Sequence, residues 1–107
     1  MNIEQVMNFL VEHRAANLPP EALAEVFTSL SWCLDSEANV VAIARSWLKG
    51  DDEYRVAVSL WMDDIFPADS RQDLVALAAD IHTRFPALSE RASAWIRRWD
   101  NAYGESP

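Results

Sequence analysis

A chain of 107 residues, half of them hydrophobic and about a quarter charged, is long enough for one core and too apolar to stay disordered. Its net charge of −8 opposes contact with phosphate backbones and anionic bilayer surfaces, so neither nucleic acid nor membrane is an expected partner. The opening segment MNIEQVMNFLVEHR lacks the order of a signal peptide, no apolar run reaches the ~20 residues of a membrane span, and a lone Cys33 fits a reducing compartment. The expectation is a single cytoplasmic domain over residues 1–107.

Asn2 and Gln5 have the spacing of a capping box, and Ile3, Val6, Met7 and Leu10 recur at helical period until AANLPP at 15–20 stops the pattern. Pro20 suits the first turn of a second helix, whose inward face is read as Leu23, Val26, Phe27, Leu30 and Leu34. A third helix is predicted to take Asp35 or Ser36 as N-cap and to bury Val40, Ile43, Ala44 and Trp47. It should end at Gly50 as a left-handed C′ residue.

Asp51 and Asp52 then fall where a fourth helix begins, and their charge meets the positive end of its dipole. The run VAVSLWM at 56–62 has almost no polar face, which predicts a central helix covered on several sides. After FPADSRQD, with Asp69 and Gln72 as a second capping box, a fifth helix points Leu74, Leu77, Ala78, Ile81 and Phe85 inward. Asp73, Asp80 and Arg84 face out. Pro86 restarts the chain into a sixth helix with Leu88, Ala92, Trp95, Ile96, Trp99 and Tyr103 on one face, and 103–107 is a frayed tail.

The fold class is therefore all-α: about six helices of roughly 12 to 17 residues, whose short links require antiparallel hairpins. A compact bundle and a short HEAT-like stack both satisfy this. SWCLD, SWLKGD, LWMDD and AWIRRWD each place a Trp near a helix end with an Asp after it, a loose repeat that leans toward stacking.

Catalytic chemistry has few resources. His13 and His82 have no metal-ligand spacing, and each lies at the border of an apolar stripe, where a half-buried, hydrogen-bonded histidine is expected. Cys33 lies beside the apolar face of the second helix and reads as inert. The carboxylates of Asp51, Asp52, Glu53, Asp63, Asp64, Asp69 and Asp73 follow no EF-hand order, and Pro67 interrupts DDIFPAD as a metal motif. Helix geometry accounts for several acids: Asp51 is placed to pair with Arg55, Asp80 to pair with Arg84, and Asp69 to cap. With no phosphate-cradling glycine loop, neither an enzyme nor a cofactor or metal is expected.

Charge is unevenly spread. Residues 35–80 carry ten acids against Arg45, Lys49, Arg55 and Arg71, whereas at 84–98 four arginines face only Glu90. Asp63 and Asp64 lie at the predicted C-terminal turn of the fourth helix, where the dipole opposes them and no basic residue stands three or four positions away. Either an arginine of WIRRW reaches them or an external cation does. Trp47, Trp61, Trp95 and Trp99 read as core. Trp32 shares its face with Glu25, Thr28 and Ser29, so it is either covered by a neighbouring layer, the preferred reading, or exposed as a binding anchor.

A small, acidic, all-helical chain with its acids clustered mid-sequence resembles the α-helical immunity proteins of colicin-like and contact-dependent growth inhibition systems. It carries IFP at 65–67 and departs from the tyrosine-pair and proline signature of the colicin nuclease group. The resemblance implies a bacterial inhibitor that covers the active site of a basic, nuclease-type toxin. Its contact residues would be drawn from Asp51, Asp52, Glu53, Asp63, Asp64, Asp69 and Asp73, with Trp32 and Phe66 as aromatic anchors. The alternative is a helical adaptor, a secretion chaperone or an anti-defence DNA mimic.

Overall fold

The sixth residue from the N-terminus already sits in a helix because Asn2 and Gln5 close the capping box that their spacing predicts. The Gln5 N–H donates to Asn2 Oδ1 at 2.8 Å and the Asn2 N–H to Gln5 Oε1 at 2.9 Å. In the computed structural model, which describes residues 2–33, 37–62 and 66–103, this helix is α1 (Ile3–Glu12). It is followed by α2 (Pro20–Cys33), α3 (Glu37–Leu48), α4 (Glu53–Leu60), α5 (Arg71–Arg84) and α6 (Ser89–Tyr103), with a single 3₁₀ turn at Pro86–Leu88. The fold is all-α, and the described residues contain no strand. Contacts divide the chain into two compact units, Met1–Ile65 and Phe66–Pro107.

In the first unit, α1 packs on α2 and α3, and α4 packs on both α2 and α3. Its core joins Met7 and Val11 of α1, Leu23, Ala24 and Phe27 of α2, Val40, Ala44 and Trp47 of α3, and Val58 and Met62. The Phe27 ring meets Trp47 edge-on at 5.8 Å, the arrangement aromatic quadrupoles favour. Each large apolar side chain so buried contributes about 1.5–3 kcal/mol. The short α4 is covered as its composition predicts, with five successive residues, Val56 to Leu60, buried.

Three local expectations are corrected in this unit. Val26 is 43 % exposed; Ala24 and Ser31 are turned inward beside Leu23 and Phe27 instead. Small side chains let a neighbouring backbone approach, and Ser31 satisfies its hydroxyl by donating to the Thr28 carbonyl at 2.6 Å. Gly50 does not take the left-handed conformation; the end of α3 closes by N–H donation from Lys49 to Ser46 and from Gly50 to Trp47. His13 is exposed rather than half-buried, with its ring 4.2 Å from that of Phe9. The proposed N-caps Asp35 and Ser36, and Leu34, lie outside the described residues, as does the tail from 104 onward.

The second unit is a helical hairpin. Leu74, Ala78 and Ile81 of α5 and Ala92 and Trp95 of α6 are buried, and Arg71 at the start of α5 holds Asp100 near the end of α6 at 2.8 Å. The short Pro86–Leu88 link sets the antiparallel sense, and the pair bridges the opposite end of the hairpin. The cap of α5 is Ser70, whose side chain accepts from the Asp73 N–H at 3.1 Å, and not Asp69; the helix begins at Arg71, one residue later than the Asp69–Gln72 reading requires. Asp80 and Arg84 pair as predicted. Tyr103 is 64 % exposed rather than inward, and His82 is exposed, its Nδ1 2.7 Å from Ser89 Oγ.

The four Trp of the loose repeat do not share an environment. Trp32 is 68 % exposed, Trp47 8 % and Trp95 1 %, and Trp61 is half-buried at the C-cap of α4. A structural repeat would place equivalent side chains in equivalent layers.

Candidate functional site

The acids at the start of α4 divide by role. Asp52 is the N-cap: one carboxylate oxygen accepts from the Tyr54 N–H at 3.0 Å, and the other takes the Arg55 guanidinium. The expected Asp51–Arg55 pair is thus replaced by Asp52–Arg55. A cap side chain reaches forward to the free N–H groups two or three residues on, which places Asp52 rather than Asp51 against the first turn. Arg55 also donates to Asn8 Oδ1 at 3.2 and 3.1 Å and lies 3.6 Å from Glu12, tying α4 to α1. Asp51 and Glu53 are exposed beside this network.

The remaining predicted site residues are placed separately. Asp69 and Asp73 are exposed in the second unit. Phe66 is half-buried, its ring 5.3 Å from both Trp95 and Trp99 and 5.7 Å from Tyr103. It is a packing residue of an aromatic cluster. Asp63 and Asp64 lie outside the described residues. Among the described residues no group of three or more His, Cys, Asp or Glu converges as a metal site, and no helix is long and apolar enough to cross a membrane.

Trp32 differs from Phe66 in its surroundings. The preference for covering it is corrected: at 68 % exposure it is the most exposed large hydrophobic side chain among the described residues. Helical rotation of ~100° per residue sets Glu21, Glu25 and Trp32 within about 40° of one another on the outer side of α2. Ala22, Val26 and Leu30 run beside them. Ala22, Glu25, Val26, Ser29 and Leu30 line a shallow groove of about 400 Å³. A second, of about 310 Å³, is lined by Glu21, Ala22, Glu25 and Trp61. The two share Ala22 and Glu25, so they adjoin along the helix, with the Trp61 indole lining the second and Trp32 exposed farther along the same face.

An apolar furrow edged by carboxylates can take an aliphatic side chain and a cation together. The carboxylates attract the cation, the Trp61 indole adds cation–π attraction, and the furrow removes apolar surface from water. The sequence pattern set Trp32 on one face with Glu25, but it assigned Val26 and Trp61 to the core and did not single out Glu21. The spacing of Glu21, Glu25 and Trp32 (i, i+4, i+11) carried the signal, because it returns to one helix face. The burial of Trp61 against α2 carried none.

Tyr54 buttresses the same unit. Its hydroxyl donates to the Leu18 carbonyl at 3.0 Å and the Arg14 guanidinium lies 3.7 Å over its ring, so the link before α2 is held to α4. Burial pushes the phenol pKa up, the Arg14 charge partly offsets this, and Glu21 adds to it. Comparison with family models, curated proteins and solved structures finds no match for this chain.

Proposed function

We propose that this protein is an acidic protein-binding module that neutralises a basic partner, in the manner of an immunity protein covering the active site of a nuclease-type toxin. The observation that carries this reading is Trp32, exposed on an outer helix face with Glu21 and Glu25 in a chain of net charge −8. An exposed indole costs solubility and contributes nothing to a core; against a partner it supplies a large, rigid contact area. The surrounding charge steers a positive surface and accelerates encounter.

The test is co-expression with a nuclease toxin encoded beside it, followed by purification of the pair. Cells are protected, and the affinity of the complex falls between about 0.05 and 0.5 M salt as the charges are screened. Asp51→Lys with Glu53→Lys slows association more than it speeds dissociation. A toxin left active in the presence of the protein, or a complex indifferent to salt, refutes the reading. The apolar flank Ala22–Val26–Leu30 favours one alternative, a helical adaptor or secretion chaperone, whose complexes would be tight and nearly salt-independent.

A further inference from the structure

We propose that the element this protein recognises is a basic amphipathic helix that lies along the outer face of α2. The proposal rests on the protein-binding reading and narrows it to one surface and one kind of occupant.

The shape of the depression argues for a helix. From Glu21 to Trp32 the face runs eleven residues, about 16 Å at ~1.5 Å per residue. Three turns of a partner helix cover that length. The furrow between Ala22, Val26 and Leu30 accepts aliphatic side chains at i and i+3 or i+4, the spacing one stripe of such a helix presents.

Charge complementarity argues for a basic one. Glu21 and Glu25 are exposed, and among the described residues neither forms a hydrogen bond or ion pair. Both border the groove that ends on the Trp61 ring. A lysine or arginine entering there meets two carboxylates and an indole, whereas an acidic helix meets two like charges in a partly desolvated cleft. Val26, 43 % exposed beside them, leaves an apolar surface for the flanking residue of the same helix.

The probe is a synthetic helical peptide of about 15 residues with alternating leucine and arginine on one stripe, the three-turn span plus about two residues at each end. It is compared with the same peptide carrying glutamate for arginine, and with a scrambled basic peptide of identical composition. Full-length protein is titrated by fluorescence anisotropy of the labelled peptides. The basic amphipathic peptide binds, the acidic one does not, and the scrambled one binds at least tenfold more weakly. Glu21→Lys with Glu25→Lys, and Trp32→Ala separately, each weaken binding at least tenfold. All three positions are exposed, and circular dichroism checks that each variant is folded.

Glu4→Lys with Glu90→Lys makes the same change of charge at exposed positions on α1 and α6 and leaves binding within about twofold. Equal losses in that control and in the α2 variants would show general charge attraction and overturn the proposal. So would scrambled and amphipathic peptides of equal affinity. Concentration-dependent dimerisation abolished by Trp32→Ala would assign the face to a second copy and overturn it too. The broader reading fails separately: toxin protection that survives every α2 variant sinks the helix proposal alone, and peptide binding without protection against any toxin sinks the immunity reading alone.

Discussion

Replacing Asp52 with alanine tests the division of labour at the start of α4. The carboxylate has two duties, one oxygen capping the Tyr54 N–H and the other holding Arg55. Loss of an N-cap costs about 1 kcal/mol. The ion pair adds less, because the Asp52 side chain is 42 % exposed and solvent screens it; such pairs contribute about 0–1 kcal/mol. The sum, about 1–2 kcal/mol, corresponds to a fall in Tm of about 5–10 °C for a domain near this size. Asp52→Asn keeps a cap acceptor and loses only the charge, so its cost is about half or less. Asp51→Ala, one residue away and without a hydrogen bond or ion pair among the described residues, changes stability by less than about 0.5 kcal/mol. Thermal and urea unfolding followed by far-UV circular dichroism reads all three. An Asp51→Ala variant as unstable as Asp52→Ala would mean that Arg55 is held by Asp51, and the assignment of the cap would be wrong.

Other consequences follow from the same packing. Phe27→Ala leaves a cavity against Trp47 and costs about 3–5 kcal/mol, while Val26→Ala, its neighbour on the exposed side, costs less than about 1 kcal/mol in the same denaturant titration. Tyr54→Phe removes the hydroxyl bonded to Leu18 and costs about 0.5–1.5 kcal/mol. Because the folded state raises the Tyr54 pKa, its stabilisation is complete below about pH 10 and is lost as pH rises through the folded value. The phenylalanine variant is therefore less sensitive to alkali, which unfolding midpoints across that range will show. Asp100 behaves in the opposite sense: the hydrogen bond from Arg71 lowers its pKa, so its contribution is present above about pH 3.9 and is lost as pH falls through the folded value. Asp100→Asn should lower stability at neutral pH and match the unsubstituted protein in acid; a constant deficit across that range would refute the pairing.

The helices and their order were legible in the residues because the signals are local. The Asn2–Gln5 box and the Asp80–Arg84 pair involve groups within four positions, and the Pro20 start and the apolar α4 are read from one short stretch each, so backbone geometry decides what meets. Finer choices of the same local kind were harder: Asp69 or Ser70 as cap, and Asp51 or Asp52 as partner of Arg55. Adjacent residues offer the same chemistry there, and a difference of one position in where the helix begins selects between them.

The candidate site needed the tertiary structure. Composition and charge pattern by themselves determined an acidic, all-helical chain with its acids clustered mid-sequence, and left Trp32 between cover and exposure. Which side of α2 is buried depends on what packs against it, and Leu23, Ala24, Phe27 and Ser31 meet the core while Val26 and Trp32 do not. Periodicity ranks faces by apolar content, so it placed Val26 inside and left Trp32 ambiguous. The tertiary structure decided both, and it brought Trp61 from the end of α4 to the Glu21–Glu25 pair, a meeting across some forty positions that no local spacing encodes.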